Sequence, residues 1–234
     1  MIDSSSVIVP ELFENDGKIH SRMHAKKLDK ILGYKVTKIE VKLHQKYRSY
    51  DRFNDESNKK QHYKGAQTWI GLHPQVLQTP YCDIYQALLT AKDMNIEHVV
   101  DIGAGYGRVG VVLNALAKEA KFTGYEVVKE RQAEGNRIFE KLGLKNANIE
   151  LKNVSDANFE LPKAQVYFIY DFSDMEDICE VLLTLAKRTL IYDFCLITKG
   201  DRVEKLMKRQ FKHVWKKDIY LEYSDLSIYK SIVS

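Results

Sequence analysis

The residues best placed to do chemistry fall in one stretch, Val99-Val100-Asp101-Ile102-Gly103-Ala104-Gly105-Tyr106-Gly107-Arg108-Val109-Gly110. It follows an apolar run and opens an amphipathic one, the context in which a glycine turn offers backbone amides to a nucleotide. Gly103, Gly105 and Gly107 let the chain turn tightly and let a ligand approach with no Cβ in the way. Glu126 closes the next apolar run, Phe122-Thr123-Gly124-Tyr125-Glu126. A carboxylate there can accept both hydroxyls of a ribose, in charge-assisted hydrogen bonds worth about 1.5–3 kcal/mol each.

Two cofactors use this arrangement. Gly105-Tyr106-Gly107-Arg108-Val109-Gly110 satisfies G-x-G-x-x-G, with Glu126 about twenty residues on, as in NAD sites. Asp101 points elsewhere, because a carboxylate inside a strand needs hydrogen-bond partners or a cationic ligand. S-adenosylmethionine offers an ammonium close to the loop amides, whereas a dinucleotide gives Asp101 no evident task.

Asp101-Ile102-Gly103-Ala104-Gly105-Tyr106-Gly107 resembles the first motif of class I S-adenosylmethionine-dependent methyltransferases, and the likeness runs through roughly residues 79–232. It implies that these residues, with Glu126, hold S-adenosylmethionine. Asn153-Val154-Ser155-Asp156 follows the third strand, where the family places an acid or amide on the adenine amino group, so Asp156 is the candidate. Tyr170-Asp171-Phe172-Ser173 stands where the family has its substrate-facing motif. It is not Asn/Asp-Pro-Pro-Tyr, which argues against methylation of adenine or glutamine amides, and no double-acid loop of arginine methyltransferases is recognisable. Gln78-Thr79-Pro80-Tyr81 is similar to a segment of the non-SET, Rossmann-type protein lysine methyltransferases, which include a nucleosomal histone enzyme and mitochondrial enzymes acting on ATP-synthase c-subunits. The run Val166–Phe172 followed by Met175–Leu185 is also similar to that mitochondrial group.

The resemblance implies methyl transfer, with a protein lysine as preferred acceptor, RNA as runner-up and a small molecule third. An NAD-binding Rossmann protein and a non-enzymatic binding module are the readings outside that class. Positioning alone can supply about 7–11 kcal/mol of such catalysis. Asp171 and Tyr170 are candidates to orient or deprotonate an amine; as structural residues they would cap the next helix and pack the sheet. Tyr81 could close over the methionine end of the cofactor, or simply start a helix.

Positioning these residues requires a sheet. From about residue 95, short apolar runs alternate with amphipathic stretches, the pattern of a parallel α/β sheet. Strands are expected at Glu97–Ile102, Lys121–Glu126, Ala147–Lys152, Gln165–Tyr170 and Thr189–Leu196, with Asp193 and Cys195 inside the last. Asp193 would face that strand's open end near the site. Helices fit at Gly107–Ala120, Val128–Leu142, Ser173–Lys187 and Asp201–Phe211. His213–Glu222 and Leu226–Ile232 are two β-rich runs with no room for a helix between them, so the sheet should end on one antiparallel strand of a hairpin. Upstream, Tyr81–Asp93 and residues 18–32 read as helices, Val36–Leu43 alternates like a strand, and residues 44–66 are polar and partly loop. The expected fold is a mostly parallel, seven-stranded Rossmann-like methyltransferase sheet with helices on both faces and a C-terminal β-hairpin, plus a basic N-terminal extension.

The chain has 234 residues, 44% hydrophobic and 29% charged, enough for one good core and too apolar for disorder. Its net charge of +4 is unevenly spread: residues 1–17 carry −4, residues 18–64 carry +9 and residues 65–234 carry −1. This shift suggests a basic extension or substrate-capping module over residues 1–64, and a cofactor domain over 65–234. The basic part could bind nucleic acid, with Tyr34, Tyr47, Tyr50 and Tyr63 stacking on bases, or an acidic protein; as a plain surface it would be a solvated lid. No apolar run approaches the roughly 20 residues of a membrane span, and the start lacks a signal peptide. The three cysteines form no close pair. The chain reads as cytoplasmic, and its oligomeric state is not legible.

Overall fold

A computed structural model describes residues 8–47, 69–221 and 225–232. The expected strands form where the apolar runs stand: β1 His98–Ile102, β2 Lys121–Glu126, β3 Ala147–Leu151, β4 Val166–Tyr170, β5 Cys195–Lys199, β6 Trp215–Leu221 and β7 Leu226–Ser231. Their order in the sheet is β3-β2-β1-β4-β5-β7-β6. The first five are parallel, whereas β7 runs antiparallel to both β5 and β6. The chain thus ends on the expected hairpin, with one strand antiparallel to the rest. β7 lies inside, and the lysine-bearing β6 closes the sheet.

Helices cover both faces, so the inner strands are apolar on both sides. On one face pack α1 Ser21–Leu32, α2 Val36–Lys46, α3 Tyr81–Thr90, α4 Arg108–Leu116 and α5 Lys129–Lys141. The other is covered by α6 Met175–Arg188 and α7 Asp201–Arg209. Ala25, Leu28, Leu32, Tyr34 and Val36 share one apolar cluster with α3, α4 and β1. The expected division at residue 64 falls outside the described residues. Among the described residues no helix is long and apolar enough to cross a membrane.

Two expectations fail. Val36–Leu43 is helical, because its inward positions are Val36, Glu40 and Leu43, a 3.6-residue spacing, while Val41 is exposed. A strand's alternation would put Glu40 outside. The run from Thr189 is not yet strand: α6 continues to Arg188, Leu190 and Ile191 are largely exposed, and β5 starts at Cys195. Asp193 thus sits exposed before β5, at the end of the sheet opposite the glycine turn, and does not face the site.

Candidate functional site

After β1 the chain turns through Gly103–Gly107 and enters α4. Gly103 takes φ +79°, and a Cβ there would lie 2.4 Å from that of Phe172. Gly105 has φ +54° and meets only open space, so its backbone is free to touch a ligand. The amides of Gly103 and Ala104 donate to the Tyr125 carbonyl at 3.0 and 2.8 Å, pinning the turn to β2. Gly105 N–H donates to Glu126 Oε2 at 2.9 Å, while Val127 and Val128 N–H both donate to Oε1 at 2.8 Å. Burial pushes the Glu126 carboxyl up, against Arg131 and these three amides. Tyr106 lines the cleft, and its ring is fully buried with the hydroxyl donating to Glu40 at 2.7 Å.

Asp101 is 5% exposed and has no hydrogen-bond donor among the described residues. Burial first, and then the nearby charge of Glu126, push its carboxyl up to about 8. Gln78 is 7% exposed, and neither its Nε2 nor its Oε1 finds a partner among the described residues. Gln78 lines the cleft and also a smaller chamber that continues from it, where Asp101, Gly103 and Tyr170 form other walls. A buried acid and a buried amide without partners cost free energy until a ligand satisfies them. The arrangement asks for a ligand with a cationic group and further hydrogen-bonding groups beside the turn.

The segment bearing Gln78 is fixed by a buried network. Arg108, at the start of α4, donates to Asp29 of α1 at 2.6 and 3.3 Å, to Gln75 at 3.0 Å and to the Thr79 carbonyl at 3.1 Å. Its guanidinium lies over the Tyr81 ring, 4.8 Å from the centroid. A second pair joins Arg131 of α5, a cleft residue, to Glu40 of α2 at 2.8 and 3.1 Å. Sequence alone does not single out Asp29, Glu40, Arg108, Arg131 or Gln78 as site residues. One signal was present: in two otherwise basic helices, the single acid of each lies on the apolar face.

The structure brings Asp101, Gly103, Gly105, Tyr106, Glu126 and Tyr170 to one cleft or its side chamber, with Ala104 beside them, while Gly107 begins α4. It places three other candidates elsewhere. Tyr81 is fully buried and donates to Asp29 at 3.0 Å. Asp156 is exposed in the turn after β3, and Lys152, Asn153 and Val154 line the cleft instead. Asp171, at φ +27°, directs its carboxylate to the amides of Arg202 and Val203, at 3.1 and 2.9 Å, so it caps α7; α6 is capped by Asp174. Burial pushes the Asp171 carboxyl up, and those amides oppose it. Its carbonyl accepts from Trp69 Nε1 at 2.8 Å, and Trp69, Tyr170 and Phe172 together give the cleft an aromatic wall. Tyr170 is held by donating to the Val76 carbonyl at 2.9 Å.

No protein-family model matches the chain, and no curated protein matches its sequence. Solved structures do match. The S-adenosylhomocysteine-bound methyltransferase PaMTH1 of Podospora anserina superposes with TM-score 0.55 at 10% identity, covering 70% of this chain and 83% of that one. The fold is that of the class I methyltransferases. An RNA methyltransferase from Salinibacter ruber in complex with S-adenosyl-L-homocysteine gives TM-score 0.49 at 16% identity, covering 67% and 93%. The methyltransferase sheet has β7 between β5 and β6, unlike the all-parallel 3-2-1-4-5-6 order of NAD domains. Its chain reverses direction of travel between β1 and β4, so the crevice at their carboxyl ends, where the glycine turn stands, is where such sheets bind ligands.

Proposed function

We propose that this protein is an S-adenosylmethionine-dependent methyltransferase, and that its preferred acceptor is a lysine side chain of another protein. The observation that carries the first part is the unsatisfied pair of Asp101 and Gln78 beside an open Gly105. An ammonium would meet Asp101, and a carboxylate would meet Gln78 Nε2. Glu126 has three backbone donors already and accepts a ribose hydroxyl on the one lone pair left, on Oε2. Asn153 and Val154, rather than Asp156, flank the adenine.

The bound sulfonium supplies an electrophilic methyl group. The chain's part is to present a nucleophile in line and to exclude water. Trp69, Tyr170 and Phe172 suit an amine carried on an alkyl chain: aromatic faces attract the cation on entry, and their desolvation favours the neutral form that attacks. The Asp171 carboxylate is committed to α7, so its contribution is to hold the loop that carries Phe172. The Gln78–Tyr81 resemblance supports lysine as acceptor, and Tyr81 serves by holding Asp29 and Arg108.

Calorimetry with S-adenosylhomocysteine and NAD tests the cofactor: the first should bind and the second should not, and the reverse would sink the reading. Glu126→Ala should weaken S-adenosylhomocysteine by about 1.5–3 kcal/mol in a folded protein. Transfer of radiolabelled methyl groups into a cell extract tests the acceptor. Label removed by protease supports a protein, label removed only by nuclease promotes RNA, and label in neither macromolecule means a small molecule.

A further inference from the structure

The two helices that precede the sheet sort their charges by direction. Each carries one carboxylate, and both are buried on arginines of the sheet-flanking helices: Asp29 on Arg108 and Glu40 on Arg131. What remains outside is cationic. Arg22, Lys26, Lys27 and Lys30 of α1 and Lys38 and Lys42 of α2 are all exposed. Among the described residues no carboxylate lies within ion-pair distance of any of them. Between them stand Met23, Ile31 and Val41, exposed by 53%, 43% and 49%. Helical spacing sets Met23 beside Lys27 and Lys27 beside Ile31, and it sets Val41 beside Lys38.

This face reaches the site. Arg22, near the start of α1, lines a polar hollow at the carboxyl ends of β4 and β5, and Tyr170 belongs to both that hollow and the cofactor cleft.

We propose that the outer face of α1 and α2 docks an acidic surface of the protein acceptor and so holds its target at the Tyr170 end of the cleft. Charge selects a polyanion, and three observations favour protein over nucleic acid. The described face lacks a stacking platform: Tyr34 is buried with its hydroxyl on the Tyr106 carbonyl, and Tyr47 is half-buried beneath the Lys46 ammonium. All but one of the six cations are lysines, whereas bidentate phosphate recognition favours arginine. Exposed methionine and branched aliphatic side chains among the charges suit a protein interface.

The link to the acceptor rests on the methyl-transfer reading; the docking surface does not. The test therefore uses binding rather than turnover. The full chain is titrated into fluorescent poly-L-glutamate and fluorescent polyuridylate at physiological salt, with S-adenosylhomocysteine calorimetry alongside. Poly-L-glutamate should bind. Its affinity should fall about tenfold or more in Lys26→Glu/Lys27→Glu/Lys30→Glu, and again in Lys38→Glu/Lys42→Glu, while S-adenosylhomocysteine affinity is unchanged. Absent poly-L-glutamate binding, tighter binding of polyuridylate, or variants that bind poly-L-glutamate as well as the parent would each overturn the proposal. Loss of S-adenosylhomocysteine binding in both charge variants would also overturn it, by showing that these lysines hold the fold. If the parent binds poly-L-glutamate and not S-adenosylhomocysteine, the methyl-transfer reading fails and the docking surface stands.

Discussion

Asp101 is where the electrostatics of a single residue make the clearest demand. Its carboxyl is pushed up to about 8 by burial and by Glu126, against about 3.9 in an unfolded chain. Between those values the folded protein keeps a proton that the unfolded chain has released, so stability falls as pH rises through that window and levels off above it. Asp101→Asn, neutral throughout, should remove this slope; urea unfolding of both proteins from about pH 5 to about pH 8 measures it, and parallel curves would show that the carboxylate is satisfied in some other way. S-adenosylhomocysteine should bind more tightly as pH rises toward 8 and should release a proton on binding, and the Asn variant should show neither effect. Asp171 makes the opposite demand, because its acceptors are already used. Asp171→Ala should cost about 0.5–2 kcal/mol of stability, the size of a lost helix cap, with S-adenosylhomocysteine affinity kept. A folded, equally stable variant with turnover lost by orders of magnitude would instead make Asp171 a reacting group.

At the scale of elements, α1 and α2 are tied to the fold through charges that neither they nor their partners could bury alone. Asp29 accepts from Gln75, Tyr81 and Arg108, so removing it strands a buried guanidinium. Asp29→Ala should cost about 3–5 kcal/mol, and Asp29→Leu combined with Arg108→Met should be more stable than the single change, because the isolated charge has gone. Denaturant midpoints of the two proteins decide this, and a double variant weaker than Asp29→Ala would show that Arg108 acts chiefly through Thr79 and Gln75. The same ties fix Thr79 on one side and Tyr106 and Arg131 on the other, so the extension helps shape the cleft's walls.

For the whole molecule, the hairpin has to be joined to the parallel sheet and its covering helices. Glu204 of α7 does part of this, accepting from Lys217 of β6 at 2.7 Å and Tyr229 of β7 at 2.8 Å. Burial alone would raise its carboxyl, but Lys217, Tyr229 and Lys208 outweigh burial and hold it down to about 2. A lowered value means that the stabilisation is present above the unfolded value of about 4.3 and is lost as pH falls through the folded one. Glu204→Gln should therefore be less stable than the parent at neutral pH, with the gap closing toward about pH 2. A gap that stays constant with pH would mean that packing, not charge, holds the hairpin.

The sequence by itself determined the strand–glycine turn–helix unit, the alternation that makes a parallel sheet, the hairpin, and the residues Asp101, Gly103, Gly105 and Glu126 that meet at the cleft. These are local facts: a glycine spacing and a hydrophobic period act over a few residues, and backbone sterics enforce them wherever the segment lies. Only the tertiary structure decided that Val36–Lys46 is a helix, that β7 lies inside the sheet, that Asn153 and Val154 rather than Asp156 reach the cleft, that Asp171 caps α7, and that Gln78 is left without a partner. Each turns on where a polar side chain finds its partner. Glu40 points inward because Tyr106 and Arg131 wait for it 66 and 91 residues away, and Asp29 because Arg108 stands 79 residues on. Burying a charge is prohibitive until that partner arrives, so a lone acid on an apolar helix face signals that a partner exists without saying which residue it is.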